Sequence, residues 1–206
     1  MSLHKLRTEL TELLPEFGIT TLNSLENKVI DSIKSGKNAV VESGAGTGKT
    51  TSAMLTVFQR ITEPGEGSPR CIVICADDQR ANELHSRMDR IAKRLDLTLD
   101  LAHEKGNILQ QRNDIFDGTE IIIGTPKRIY DLYIQNGFNV GKIKLFVLDD
   151  ASELMKGNLK MHITRLVESL PKCQHLILTR NVNDRKLEDY LEEVVPVRTF
   201  IEDDQP

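Results

Sequence analysis

The chain has 206 residues, 39% of them hydrophobic and 28% charged, enough for one globular domain with a sizeable core. No apolar run is long enough to cross a membrane. A formal net charge of −4 excludes the broad basic field of a dedicated nucleic-acid binder and leaves room only for a local basic patch.

Two helical patterns come first. Leu3 to Leu14 makes residues 1–20 a helical extension; the next pattern sets Leu22, Leu25, Val29, Ile30 and Ile33 on one face. No signal-peptide core follows Met1-Ser2-Leu3-His4-Lys5, so the expected compartment is the cytoplasm. Strands and helices then alternate. The predicted strands are Asn38–Glu42, Arg70–Ala76, Leu97–His103, Glu120–Gly124, Lys144–Asp149, Gln174–Thr179 and Val195–Ile201. Helical stripes fall between them at Ala81, Leu84, Met88, Ile91, Ala92 and Leu95, at Leu159, Ile163, Leu166, Val167 and Leu170, and at Leu187, Tyr190, Leu191 and Val194. Continuous apolar strands such as Cys71–Cys75 and Ile121–Ile123 suit a parallel sheet covered on both faces. The alternation predicts an α/β fold, doubly wound around a mostly parallel central sheet. The loop Glu63–Pro69 reads as a surface turn, and Glu202-Asp203-Asp204 as an acidic tail, so residues 1–206 are one domain. Cys71, Cys75 and Cys173 read as buried thiols. The spacing of Cys71 and Cys75 places them on one strand face and does not match a zinc pair.

Between the first predicted strand and a helical pattern lies Ser43-Gly44-Ala45-Gly46-Thr47-Gly48-Lys49-Thr50-Thr51. This is a phosphate-binding loop, with Ser43 where the general pattern has glycine. Its glycines let backbone N–H groups turn around phosphate oxygens, and the helix N-terminus adds a positive dipole end. Lys49 reaches the outer phosphates as a point charge, and Thr50 offers a hydroxyl to Mg²⁺. Gly44, Ala45, Gly46, Thr47, Gly48, Lys49, Thr50 and Thr51 are therefore the predicted nucleotide contacts.

The second landmark is Leu145-Phe146-Val147-Leu148-Asp149-Asp150-Ala151-Ser152. An apolar strand ending in Asp149 can hold Mg²⁺ or its waters, and Asp150 beside it can position an attacking water. Taken alone, the same residues would read as a strand followed by a helix cap. With the upstream loop, Lys49, Asp149 and Asp150 become the candidate catalytic set.

At Gly124-Thr125-Pro126-Lys127-Arg128-Ile129-Tyr130-Asp131-Leu132 the chain resembles the first RecA-like domain of the DEAD-box RNA helicases. The order of elements agrees from about Gly18 to Ile201. The resemblance implies a three-layer RecA-like domain that binds ATP with Mg²⁺. It also implies that Thr125, Lys127 and Arg128 match the family's Thr-Pro-Gly-Arg element, which grips RNA phosphates.

Departures from that family carry as much information. Its Asp-Glu-Ala-Asp becomes Asp149-Asp150-Ala151-Ser152, which shortens the catalytic acid by one methylene, about 1.5 Å of reach. Ser152 lacks the charge that couples this motif to the family's Ser-Ala-Thr element, here Thr179-Arg180-Asn181. The Pro-Thr-Arg-Glu-Leu-Ala segment aligns with Ala76-Asp77-Asp78-Gln79-Arg80-Ala81, so an acid replaces its arginine, and Arg80 is the candidate substitute for phosphate contact. The family's paired glycines have no clear counterpart near Lys105-Gly106-Asn107. Its adenine-reading Gln aligns with Glu26, which can accept but not donate. As an acidic helix residue, Glu26 is otherwise expected to face solvent.

The resemblance covers one lobe of a family that closes two around ATP and RNA, the second lobe supplying arginine fingers. A lone domain is expected to bind nucleotide and not to unwind a duplex, with a protein partner as the source of the missing surface. Two functions remain: an ATP-binding, weakly hydrolysing domain acting on RNA, and a non-enzymatic nucleotide-dependent binding or regulatory module. A small P-loop kinase would need a lid with arginines and would leave Thr125–Arg128 as coincidence.

Overall fold

Every residue of β2 (Cys71–Cys75) is buried, with Cys71, Val73 and Cys75 on one sheet face and Ile72 and Ile74 on the other. Such a strand needs cover on both sides, and a computed structural model of the chain shows that cover. It describes residues 3–65 and 67–203; Met1, Ser2, Glu66 and residues 204–206, including Asp204 of the acidic tail, lie outside the described residues.

The other strands are β1 (Ala39–Glu42), β3 (Leu99–Ala102), β4 (Ile121–Gly124), β5 (Leu145–Asp149), β6 (Gln174–Thr179) and β7 (Thr199–Glu202). With β2 they form one seven-stranded sheet in the order β3-β4-β2-β5-β6-β1-β7. All adjacent pairs are parallel. All seven expected strands are present. The last starts at Thr199 because Val195 is taken by the C-cap of the preceding helix.

Helices α1 (Thr8–Leu13), α2 (Ser24–Lys34), α3 (Lys49–Arg60) and α4 (Asp78–Arg94) cover one face through Leu10, Ile30, Phe58 and Met88. Helices α5 (Ile108–Asp117), α6 (Pro126–Ile134), α7 (Ala151–Leu154), α8 (Leu159–Val167) and α9 (Arg185–Val194) cover the other through Ile115, Leu132, Leu154, Ile163 and Tyr190. The result is the expected three-layer α/β domain.

The N-terminal extension is tied to α3 by Arg7. Its guanidinium donates to the carbonyls of Phe58 and Thr62 at 3.0 and 2.9 Å, supplying partners at a helix end that lacks intrahelical ones. Cys71 and Cys75 are buried and Cys173 is partly so; burial pushes the Cys173 thiol up to about 11. None of the described helices is long and apolar enough to cross a membrane.

Because every strand runs the same way, their C-terminal ends share one edge, where ligands bind in such sheets. The register aligns Glu42 with Thr179 and Cys75 with Asp149. Ala102 pairs with Gly124, whose position requires glycine: a Cβ there would sit 2.0 Å from the Ala102 carbonyl oxygen.

Candidate nucleotide site

The loop after β1 turns into α3 through two left-handed glycines, Gly46 (φ 80°) and Gly48 (φ 103°). Gly48 has a second constraint. A Cβ on it would lie 2.7 Å from Asn23 Nδ2 and 2.9 Å from Glu26 Oε1. Ser43 replaces the motif's first glycine usefully: its amide donates to Thr179 O at 3.2 Å and its hydroxyl accepts from Thr47 Oγ1 at 2.8 Å. The Lys49 ammonium donates to the carbonyls of Ser43 and Gly44. Burial first, then the Arg180 charge, push the Lys49 pKa below its ordinary value.

Glu26 does not face solvent. It is 7% exposed and closes a capping box at the start of α2. Its Oε2 accepts from Asn23 N at 2.9 Å, and Asn23 Oδ1 accepts from Glu26 N at 2.8 Å. The pattern Asn23-x-x-Glu26 is itself a capping signature, the sequence signal that identifies this role. Asn23 Nδ2 also donates to Thr47 O at 3.0 Å, so the cap buttresses the phosphate loop. Desolvation raises the Glu26 pKa, partly countered by the Asn23 amide.

Asp149, at the end of β5, is 2% exposed. Arg80, on the first turn of α4, faces it directly. Arg80 Nε donates to Asp149 Oδ2 at 2.7 Å, and Nη2 donates to Thr50 Oγ1 at 2.7 Å. Hydrogen bonding to Asp149 holds the Arg80 guanidinium firmly protonated. The arginine that the sequence offers as a candidate substitute for phosphate contact therefore sits in the nucleotide site.

That placement tests the expected metal. Thr50 and Asp149 are the oxygens that would hold Mg²⁺, and one guanidinium already bridges both. A divalent cation between them would displace Arg80 from both partners or lie against its positive charge. Among the described residues, no group of three His, Cys, Asp or Glu side chains offers another metal site. The donor set around Arg80 does not fit Mg²⁺ with the guanidinium in place.

Asp150 has φ 68° and begins the short α7, with its Oδ2 3.4 Å from Arg180 Nη2. Ser152 and Thr179 share a hydrogen bond at 2.5 Å between their hydroxyls, and Ser152 Oγ donates to Asn181 O at 2.9 Å. The coupling expected to be altered on both sides is thus still a contact, carried by neutral hydroxyls. A cavity of about 280 Å³ lies over the loop, lined by Gly44, Ala45, Gly46, Gly48, Lys49, Thr50 and Thr51 together with Arg80, Arg87 and Arg180. A larger cavity of about 810 Å³ opens near Asn38, Cys173 and Thr199, at the opposite edge of the sheet and away from every motif. The site is the smaller one, because chemistry rather than size locates it.

The expected RNA element divides. Thr125 is buried, with its hydroxyl donating to the Glu104 carboxylate. Arg128 is also buried, donating to Gly106 O at 3.0 Å, Gln111 Oε1 at 2.9 Å and Glu104 O at 2.8 Å. Lys127 is exposed and pairs with Asp131 at 2.6 Å. Two of the three side chains brace a turn instead of facing a ligand. Glu104 amide in turn donates to Asp78 Oδ1 at 3.1 Å.

A glycine-rich loop between strand and helix, with an acidic strand end facing it on a parallel sheet, defines a RecA-like P-loop nucleotide-binding domain. Residues 23–189 match the DEAD/DEAH box helicase family, and the chain belongs to it. It is similar to the ATP-dependent RNA helicase eIF4A of Scheffersomyces stipitis, 26% identical over 163 residues, covering 79% of this chain and 41% of that protein. It is similar also to Eukaryotic initiation factor 4A of Caenorhabditis elegans, 22% identical over 203 residues, covering 98% of this chain and 50% of that protein. Among solved structures, a DEAD box protein from Methanococcus jannaschii matches with a TM-score of 0.85 and 17% identity, over 96% of this chain and 54% of that one. Saccharomyces cerevisiae Dbp5 bound to RNA and ADP BeF3 matches with a TM-score of 0.82 and 24% identity, over 96% and 50%. These structural likenesses show the fold. The chain spans about half the length of the curated relatives it matches.

Proposed function

We propose that this domain binds ATP through its phosphate loop and acts as a nucleotide-dependent binding module, with little or no turnover of its own. One observation carries the reading: both carboxylates that hydrolysis needs are engaged by guanidinium groups, Asp149 by Arg80 and Asp150 by Arg180, while the loop that binds phosphate is intact. Hydrolysis asks Asp149 to hold a metal or its waters and Asp150 to orient the attacking water. Binding asks for Lys49, the helix N-terminus and the loop amides.

The relatives support the ligand classes. One Dbp5 structure contains RNA and ADP BeF3, and another contains Nup159, Gle1, IP6 and ADP. By analogy with those complexes, this domain takes a protein partner. RNA contact at residues 125–128 falls mainly to Lys127, with Glu104 and Asp78 close by to repel phosphate. Three free thiols suit a reducing compartment, the cytoplasm.

A second reading, weak RNA-stimulated ATP hydrolysis, draws on the position of Asp149 across from Lys49. Phosphate release with and without RNA, by the wild type and Lys49→Ala, separates the two. Equal background rates support the binding module; RNA-stimulated release lost in Lys49→Ala supports the hydrolase.

A further inference from the structure

We propose that Arg80 is the built-in cation of this site, so that the domain takes the phosphates of its nucleotide without a divalent metal. The proposal rests on the nucleotide-binding reading and adds a specific property to it.

Three observations converge. Arg80 touches both oxygens that would otherwise ligate metal, with Nε 2.7 Å from Asp149 Oδ2 and Nη2 2.7 Å from Thr50 Oγ1. The same Nη2 lies 3.5 Å from Asp149 Oδ1, so the carboxylate is gripped from one side by a planar fork. Asp149 is almost wholly buried and needs a counter-charge whether or not nucleotide is present. Arg80 supplies that charge permanently, from a helix, whereas a metal would have to be recruited.

The helix fixes it there. Asp77 caps α4, and its side chain accepts from Arg80 N at 2.8 Å. Arg87 lies seven residues further on, two turns along the same face, and lines the same cavity with Lys49 and Arg180. Four cationic side chains thus face the space where a triphosphate would lie, against the two carboxylates Asp149 and Asp150. A net positive pocket of this kind neutralises phosphate charge directly, which is the electrostatic service that a metal otherwise gives. Adding a divalent ion beside Arg80 would place like charges together. Arg80 also stands at the position where the segment resembled in sequence has leucine, which cannot do any of this.

The test is calorimetric titration of ATP into the full chain, once with Mg²⁺ in excess and once with EDTA. The expected result is a Kd that changes by less than about threefold for the wild type. Arg80→Leu is expected to regain metal dependence, with ATP binding at least about tenfold tighter in Mg²⁺ than in EDTA. Arg80→Leu leaves Asp149 buried without its partner and could unfold the chain. Arg80→Lys, which keeps the charge, is therefore measured alongside and is expected to stay metal-independent at lower affinity. Wild-type affinity that falls about tenfold or more in EDTA overturns the role of Arg80 and leaves nucleotide binding standing. No binding of ATP in either buffer overturns the nucleotide-binding reading itself, and this proposal with it.

Discussion

The Arg180 guanidinium lies 3.4 Å from the Asp150 carboxylate, at the point where a catalytic acid would orient water. Asp150 is held back twice over, by a side chain one methylene shorter than Glu and by this pairing. Arg180 is 65% exposed, so the pair adds little stability. Arg180→Ala should lower stability by less than about 1 kcal/mol. It should also weaken ATP binding several-fold, because Arg180 faces the phosphate cavity. Thermal melts and titrations of the same preparation check both; a large melt shift with unchanged affinity would assign Arg180 a structural role instead.

Gly48 is the steric keystone of the loop. Gly48→Ala forces a left-handed residue against Asn23 and Glu26 and should cost about 1–3 kcal/mol. Denaturant unfolding reads this directly, and nucleotide affinity should fall with it. Wild-type stability and affinity in this variant would show that the cap at Asn23 and Glu26 does not set the loop.

Glu26 carries a carboxylate where the family has an amide, and the cap already engages it, so it offers the adenine no donor. ATP and GTP should bind the wild type within about threefold of each other. Competition between the two nucleotides measures the ratio, and strong adenine preference would mean that another group reads the base.

Glu104 takes the hydroxyl of Thr125, one of the residues that match the family's RNA-gripping element. Glu104→Gln keeps an acceptor for the Thr125 hydroxyl but removes the negative charge beside it, leaving the Arg128 bond to the Glu104 backbone carbonyl in place. Affinity for single-stranded RNA at low salt should rise about threefold. An unchanged or lower affinity would indicate that RNA, if bound, goes elsewhere.

His175 gives the acid sensitivity of the fold a specific origin. It is buried beside Phe146, its Nδ1 has no hydrogen-bond partner, and burial lowers its pKa to about 4. The folded state therefore holds it neutral while the unfolded chain protonates it near its ordinary value. Its contribution is complete above pH about 6.5 and is lost as the pH falls through about 4, roughly 3 kcal/mol in all. His175→Leu should flatten unfolding free energy against pH across that window; an unchanged slope would place the acid sensitivity at other groups.

Much of this was legible in the sequence where chemistry is local. Apolar runs such as Ile121–Ile123 could only be strands buried on both faces, and Gly46, Gly48 and Lys49 announced the phosphate loop. What escaped depends on direction. Arg80 could turn along either side of α4, and only the buried charge of Asp149 decides which. Arg128 reads as a phosphate contact until the turn at Glu104–Gly106 is seen to consume its donors. Helix α5 was not among the expected helices because Gln110, Gln111, Asn113 and Asp114 leave few apolar positions on it. Ser152 loses a charge in sequence, yet keeps its partner in space through the hydroxyl of Thr179.

The most direct test of a binding module that does not turn over its nucleotide joins two readouts on the same samples, ATP affinity and phosphate release, for the wild type and Lys49→Ala. The prediction is that Lys49→Ala weakens ATP binding by at least about tenfold while both proteins release phosphate at the same background rate. Phosphate release by the wild type clearly above that of Lys49→Ala would contradict it.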